Sequence, residues 1–279
     1  VGVCFLYAIA TNRVLRDSGW YKQNDLKEPD LLGLLDLVAL GTVCDVVPLV
    51  GLNRAFVSQG LKVMAKRLNP GLVALADVAR VDSKLSEYHA GFLLGPRVNA
   101  GGRVGEAPLG AQLLMTQDPA EAVEIAKRLD EYNTERREIE AQVLETAMEQ
   151  VENGDPTAAL IVASGEGWHP GVIGIVAGRL KERFNRPAFV IGFDGETGKG
   201  SGRSVDGVDL GSAVIAARQA GLLLNGGGHK MAAGLTVERG KFEEMRAFMN
   251  ERVAADVAGN EVIPTLRIDG AMALSGTSP

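Results

Sequence analysis

AALIVASGEGWHPGVIGIVAGRLKERFNRPAFVIGF, residues 158–193, is the stretch that decides the fold. Ala158 to Ala163 is an unbroken apolar run of strand length. Val172 to Phe184 repeats apolar residues at three-to-four spacing, and Ala188 to Phe193 is a second short apolar run. A buried strand, a helix and another buried strand form a βαβ unit, because two parallel strands need a crossover between them. Pro170 suits the first turn of that helix. Trp168 either stacks on a base or packs against protein, and His169 with Pro170 shapes the turn. Downstream, Val208 to Arg218 and Phe242 to Val253 read as helices and Ala232 to Val237 as a strand, giving a compact α/β domain.

Upstream, Asp118-Pro119-Ala120-Glu121 marks a helix start: a capping aspartate, a proline at the first helical position and a glutamate able to reach back. Ile125, Leu129, Tyr132, Ile139, Val143 and Val151 keep one apolar stripe until Asn153-Gly154-Asp155-Pro156 stops it. The result is a rod of roughly 45 Å between two domains. Before it, Leu31 to Leu40, Leu52 to Leu68 and Pro70 to Ala79 carry helical spacing, so this part is mainly helical, the remaining half of an α/β domain. The expected division is 1–117, a connecting helix over 118–153, an α/β domain over 154–258, and the first strand of a further module over 259–279.

The chain has 279 residues, enough for about two domains, and Asp36 and Asp45 interrupt its longest apolar stretches before either reaches membrane-spanning length. It opens on Val1, with no basic segment before the apolar run to Ala10, which reads as a chain beginning inside a helix and not as a secretory leader. Cys4 and Cys44, both in apolar surroundings, are expected as small core residues in a reducing cytoplasm. The formal charge of -6 argues against non-specific coating of nucleic acid, which needs many phosphates neutralised. Arg97, Arg103, Lys199, Arg203 and Lys230 nevertheless all fall in glycine-rich stretches while many acids lie on one long helical segment, so the charge is segregated, which leaves room for a local basic groove.

Four segments carry candidate chemistry. ALGTVCDVVPL, residues 39–49, sets Asp45 alone in an apolar run, where burial without a partner is costly; it either ligates a hard divalent cation or caps the following turn. PRVNAGGR, residues 96–103, offers two forked guanidinium groups beside a glycine pair, as a phosphate grip or as an ordinary surface loop. GKGSGRS, residues 198–204, packs glycines, hydroxyls and cations as an anion site would, though a hairpin turn also explains the glycines. NGGGHK, residues 225–230, is the sharpest cluster: Gly226, Gly227 and Gly228 let amides face a phosphate while His229 donates to it or exchanges a proton. His89 reads as structural. Arg136, on the apolar stripe of the long helix, either lines a cleft or snorkels.

ALGTVCDVVPL, PRVNAGGR, GWHPGVIGIVAGRL, GSGRS and GGGHKMAAG, in this order, resemble the later motifs of the RecJ family within the DHH phosphoesterase superfamily. The resemblance covers nearly the whole chain. It implies the C-terminal part of a catalytic DHH domain, a long connecting helix, a DHH-associated α/β domain and the start of an OB-fold. The implied activity is hydrolysis of single-stranded DNA from its 5′ end in recombination and repair, with Mn²⁺ or Mg²⁺ in a two-metal centre. A helicase and a single-strand-binding protein are the implied partners. Asp45 would be the last carboxylate of the metal centre, and His229 would reach the scissile phosphate across a cleft. Ser201, Arg203 and Arg103 would recognise the 5′ phosphate or nearby backbone; Arg97 and Asn99 belong to the same motif.

The family's early aspartate motifs and adjacent His-His pair are expected ahead of Val1, so these residues alone are expected to be inactive. Two other readings compete. One is a superfamily enzyme acting on short oligoribonucleotides or cyclic dinucleotides, and the other is a non-catalytic single-strand-binding relative.

Overall fold

A computed structural model describes residues 1–259 together with 266, 268, 270 and 271. The chain divides into two compact units, Val1–Glu138 and Ile139–Pro279. The expected start of an OB-fold at 259–279 falls, apart from those few positions, outside the described residues.

The first unit is helical throughout its described residues: α1 Gly2–Asp17, α2 Trp20–Gln23, α3 Leu35–Cys44, α4 Gly51–Met64, α5 Pro70–Val78, α6 Gly95–Val104, α7 Leu109–Met115 and the first part of α8, Pro119–Glu152. Local chemistry sets several starts. The Asn69 side chain accepts from the Leu72 amide at 3.0 Å, with Pro70 following it as the first helical residue. Asp30 accepts from the amides of Leu32 and Gly33 to open the short turn at Leu31–Leu34. The main core gathers Leu40, Met64, Leu75, Leu94, Leu113 and Leu129, while Phe5 meets Phe56 edge-on at 5.4 Å in a smaller cluster with Leu35 and Val38.

At α8, the Asp118 carboxylate accepts from the Ala120 amide at 2.8 Å, as a cap should. Glu121 does not close a capping box; it is bonded by the Thr116 hydroxyl instead. The helix runs 34 residues, roughly 50 Å. Ala122, Ala126 and Leu129 are buried in the first unit, and Val143 and Ala147 are buried beyond residue 139. The apolar stripe therefore keeps buried residues on both sides of residue 139. Beyond the helix, Asp155 accepts from the amide and hydroxyl of Thr157, which holds its carboxyl below the usual range and shapes the stop.

The second unit is an α/β domain on a five-stranded sheet: β1 Ile161–Glu166, α9 Pro170–Phe184, β2 Ala188–Asp194, β3 Thr197–Arg203, α10 Leu210–Gln219, β4 Asn225–His229, β5 Ala232–Glu238 and α11 Phe242–Gly259. The sheet order is β1-β2-β3-β5-β4. β1 and β2 run parallel around α9, as the βαβ pattern predicts, and the remaining neighbours are antiparallel. Two strands, β3 and β4, occupy the glycine-rich segments that the sequence suggested as anion-facing clusters, the first with a hairpin turn as its alternative. Phe189, Ile191, Phe193, Leu210, Val214, Leu235, Val237, Met245 and Met249 form the core of this unit. No helix among the described residues is long and apolar enough to cross a membrane.

Candidate functional site

Side chains alternate between the faces of a strand, so residues paired across strands share a face. The register pairs Ser201 with Gly234 and Gly234 with Gly227; it pairs Arg203 with Ala232 and Ala232 with His229. Ser201, Arg203, Gly227 and His229 therefore lie on one face of the sheet, with Arg203 and His229 in the same cross-strand row two strand spacings apart, roughly 10 Å. An open cleft of about 500 Å³ lies on this face, lined by Pro170, Ile173, Lys199, Ser201, Asn225, Gly227, Gly234 and Thr236 among others.

The opposite face explains most of the glycines. Gly198, Gly200 and Gly202 pair with Phe193, Ile191 and Phe189 of β2, and a Cβ on any of them would come within 3.0 Å of a core side chain. They make room for the core, and their backbone forms no anion nest. Gly226 likewise abuts Val214, and Gly228 approaches Ala232 and Ala233 closely. Of the three consecutive glycines, only Gly227 has open space above it.

On the same face beside the cleft, the Arg203 guanidinium donates through Nη1 to Ser201 Oγ at 3.2 Å and to its neighbour Gly202 O at 2.8 Å. Both side chains lie beside α9, whose Gly174 leaves space where a Cβ would meet Ser201 Oγ at 2.9 Å and Arg203 Nη2 at 3.0 Å. His229 ends β4 at a two-residue hairpin turn, and its Nδ1 accepts from the Met231 amide at 3.3 Å. A neutral ring held this way carries its proton on Nε2, ready to donate. The turn is anchored by α10: the Leu210 amide donates to Lys230 O at 3.2 Å, and Asp209 caps the helix by accepting from the Ser212 amide. That cap and nearby Lys230 hold the Asp209 carboxyl below its usual range.

In the first unit, Asp45 is the C-cap of α3 and, contrary to the expectation of burial, is exposed. The deeply buried acid is Asp36, 3% exposed, whose carboxyl burial pushes up while it accepts from the Leu37 amide at 2.7 Å. Asp45 makes no side-chain hydrogen bond or ion pair among the described residues, and it opens with Asn99 onto a cavity of about 600 Å³. A free carboxylate beside an amide oxygen suits a hard cation. Among the described residues no three His, Cys, Asp or Glu gather as a metal site.

PRVNAGGR is not a loop: it forms most of α6. Arg97 is engaged there, donating through Nε to Asp130 at 2.7 Å and through Nη1 to Leu93 O at 2.8 Å. Arg103 lies half-exposed near the end of α6, and Asn99 is exposed. The cysteines are exposed residues and not core ones, although the Cys44 thiol turns inward to Ala90 O at 3.5 Å and partial burial pushes it up. His89 is structural, accepting from the amide of Ser86 at 3.1 Å. His169 caps α9, its Nδ1 accepting from the Gly171 amide at 3.0 Å, and the Trp168 indole covers Gly165 as a packing group. Arg136 donates to Asn133 one turn back in α8.

Residues 157–255, within the second unit, match the model of the DHHA1 domain. Across 98% of its length the chain is 42% identical to the single-stranded-DNA-specific exonuclease RecJ of Dickeya dadantii, covering 49% of that protein. Over 91% of its length it is 42% identical to RecJ of Escherichia coli, covering 45% of it. The crystal structure of RecJ in complex with Mn²⁺ from Thermus thermophilus matches 84% of this chain and 34% of that one, with a TM-score of 0.73 and 35% identity. The chain is similar to a segment of these RecJ proteins, and it spans about half the length of the curated relatives it matches.

Proposed function

We propose that this chain forms part of a metal-dependent exonuclease that hydrolyses single-stranded DNA from its 5′ end in recombination and repair. The observation that carries the reading is the sheet register, which gathers Ser201, Arg203 and His229 on one open face beside a cleft. Ser201 and Arg203 hold the terminal 5′ phosphate: a planar, always-charged guanidinium next to a hydroxyl matches a phosphate's oxygens in charge and geometry. His229 donates from Nε2 to the scissile phosphate, with Nδ1 fixed by the Met231 amide. Asp45 is the metal ligand this chain contributes. Mn²⁺ or Mg²⁺, when bound, supplies an activated water and stabilises the leaving oxygen. Asn99 and Arg103 are assigned to further contacts along the strand, and Arg97, held by Asp130, to keeping α6 in place.

Residues 1–117 are then the C-terminal part of the DHH domain, 118–153 the connecting helix, 154–258 the DHHA1 domain and 259–279 the start of an OB-fold. A helicase and a single-strand-binding protein would deliver the strand.

The test is fluorescence anisotropy of a labelled single-stranded DNA bearing either a 5′ phosphate or a 5′ hydroxyl, over a salt series. A preference for the phosphate of about tenfold, lost in Arg203→Ala, is expected from one charge-assisted contact. Equal binding of the two ends, unchanged by the substitution, would remove the 5′-end assignment.

A further inference from the structure

The cleft extends past the residues used above. Lys199, Thr236 and Asn225 form the next cross-strand row on the same face as Ser201, about 7 Å further along the strands. In the row of Ser201 itself lie Gly234 and Gly227, paired with each other and one and two strands away from Ser201. These two glycines differ from those facing the core. A Cβ on Gly227 would meet nothing within 4 Å, and one on Gly234 only Gly200 O at 3.7 Å; neither has a left-handed backbone. Packing and conformation both leave room for a side chain, so the bare backbone floor serves something approaching from outside.

The surroundings indicate the chemistry of that ligand. Pro170 and Ile173 give the cleft an apolar lip. Thr236 and Asn225 offer neutral polar groups at the rim, and Lys199, exposed and without a side-chain partner among the described residues, adds one cation. The row beyond carries Asp194 and Glu238, both exposed, which would repel a second phosphate. A flat floor, an apolar lip, a polar rim and an acidic far end fit a neutral planar ring.

We propose that the cleft is a nucleobase pocket: the base of the 5′-terminal nucleotide lies flat on Gly227 and Gly234, with Lys199, Thr236 and Asn225 around its edge. This rests on the assignment of Ser201 and Arg203 to that nucleotide's phosphate. With the phosphate over Ser201, crossing one to two strand spacings, roughly 5 to 10 Å, brings the base over the two glycines.

The test compares three 5′ ends on the same labelled oligothymidylate: a phosphorylated thymidine, a phosphorylated abasic tetrahydrofuran and an unphosphorylated thymidine. The unsubstituted chain should prefer the thymidine over the abasic end by about tenfold, within the range of one well-packed base. The double substitution Gly227→Ala with Gly234→Ala, which raises the floor by two methyl groups, should abolish that preference while leaving the phosphate preference intact. Arg203→Ala should do the reverse. Lys199→Ala should reduce the base preference by severalfold and serves as the second variant if the glycine double variant does not fold. Equal affinity of the unsubstituted chain for thymidine and abasic ends would overturn the pocket, as would equal weakening of both in the glycine variant. Loss of phosphate discrimination alone would overturn only the 5′-phosphate assignment.

Discussion

Replacing Gly202 by alanine would place a methyl group 2.6 Å from Phe189 Cζ, 2.7 Å from its Cε1 and 2.8 Å from Leu210 Cδ2. Carbons in contact prefer about 3.5 to 4.0 Å, so ring and leucine would each have to withdraw by close to an ångström. Neither has room: Phe189 is 1% exposed and Leu210 fully buried, in one cluster with Ile191, Val214 and Leu235. Forcing a methylene-sized group into such a core costs about 1 to 3 kcal/mol. The smaller unfolded-state entropy of alanine offsets about 0.4 to 1 kcal/mol, leaving a net loss that centres on about 1.3 kcal/mol. Gly227→Ala is the internal control, because the same methyl on β4, two strands away in the sheet, meets nothing within 4 Å; it should be neutral or slightly stabilising.

Urea unfolding followed by tryptophan fluorescence in a Trp20→Phe background isolates Trp168, which belongs to the same unit as Gly202. The Gly202→Ala midpoint should fall by about 0.5 M or more at unchanged m-value. A midpoint equal to that of the unsubstituted chain, or an equal fall in Gly227→Ala, would refute the division of glycines into core-facing and cleft-facing sets.

Two further outcomes follow from the first unit. Burial raises the Asp36 carboxyl above its unfolded value, so the folded state holds the proton more tightly, and stability present at low pH is lost as pH rises through the folded pKa. Asp36→Asn, which keeps the acceptor for the Leu37 amide, should match the unsubstituted chain in acid and exceed it at neutral pH in urea midpoints; a constant difference across pH would contradict this. Arg97→Ala removes the partner of Asp130 and the donor to Leu93 O, with side-chain exposures of 15% and 35% for the ion pair, and should destabilise the first unit by about 1 kcal/mol, read from the Trp20 signal in a Trp168→Phe background. If Arg97 serves DNA and not α6, this variant would lose affinity for the strand with no change in midpoint.

Much of this protein is legible in the order of its residues. The βαβ unit at 158–193, the cap at Asp118 and the stop at Asn153 to Pro156 depend on local spacing and capping, which the chain carries within a few residues. The grouping of Ser201, Arg203 and His229 as a site could be proposed from composition and family resemblance, but not its geometry. Tertiary structure alone decided that GKGSGR and NGGGH are strands, because their glycines have little strand preference of their own and extend only by pairing with β2 and β5. It also decided which glycines face the core and which the cleft, since a strand's two faces are assigned by the register of its partners and that pairing joins residues far apart in sequence. Asp45 is exposed and Asp36 buried for the same reason: both stand in apolar runs, and only the packing of α3 against the helices around it determines which carboxylate meets solvent.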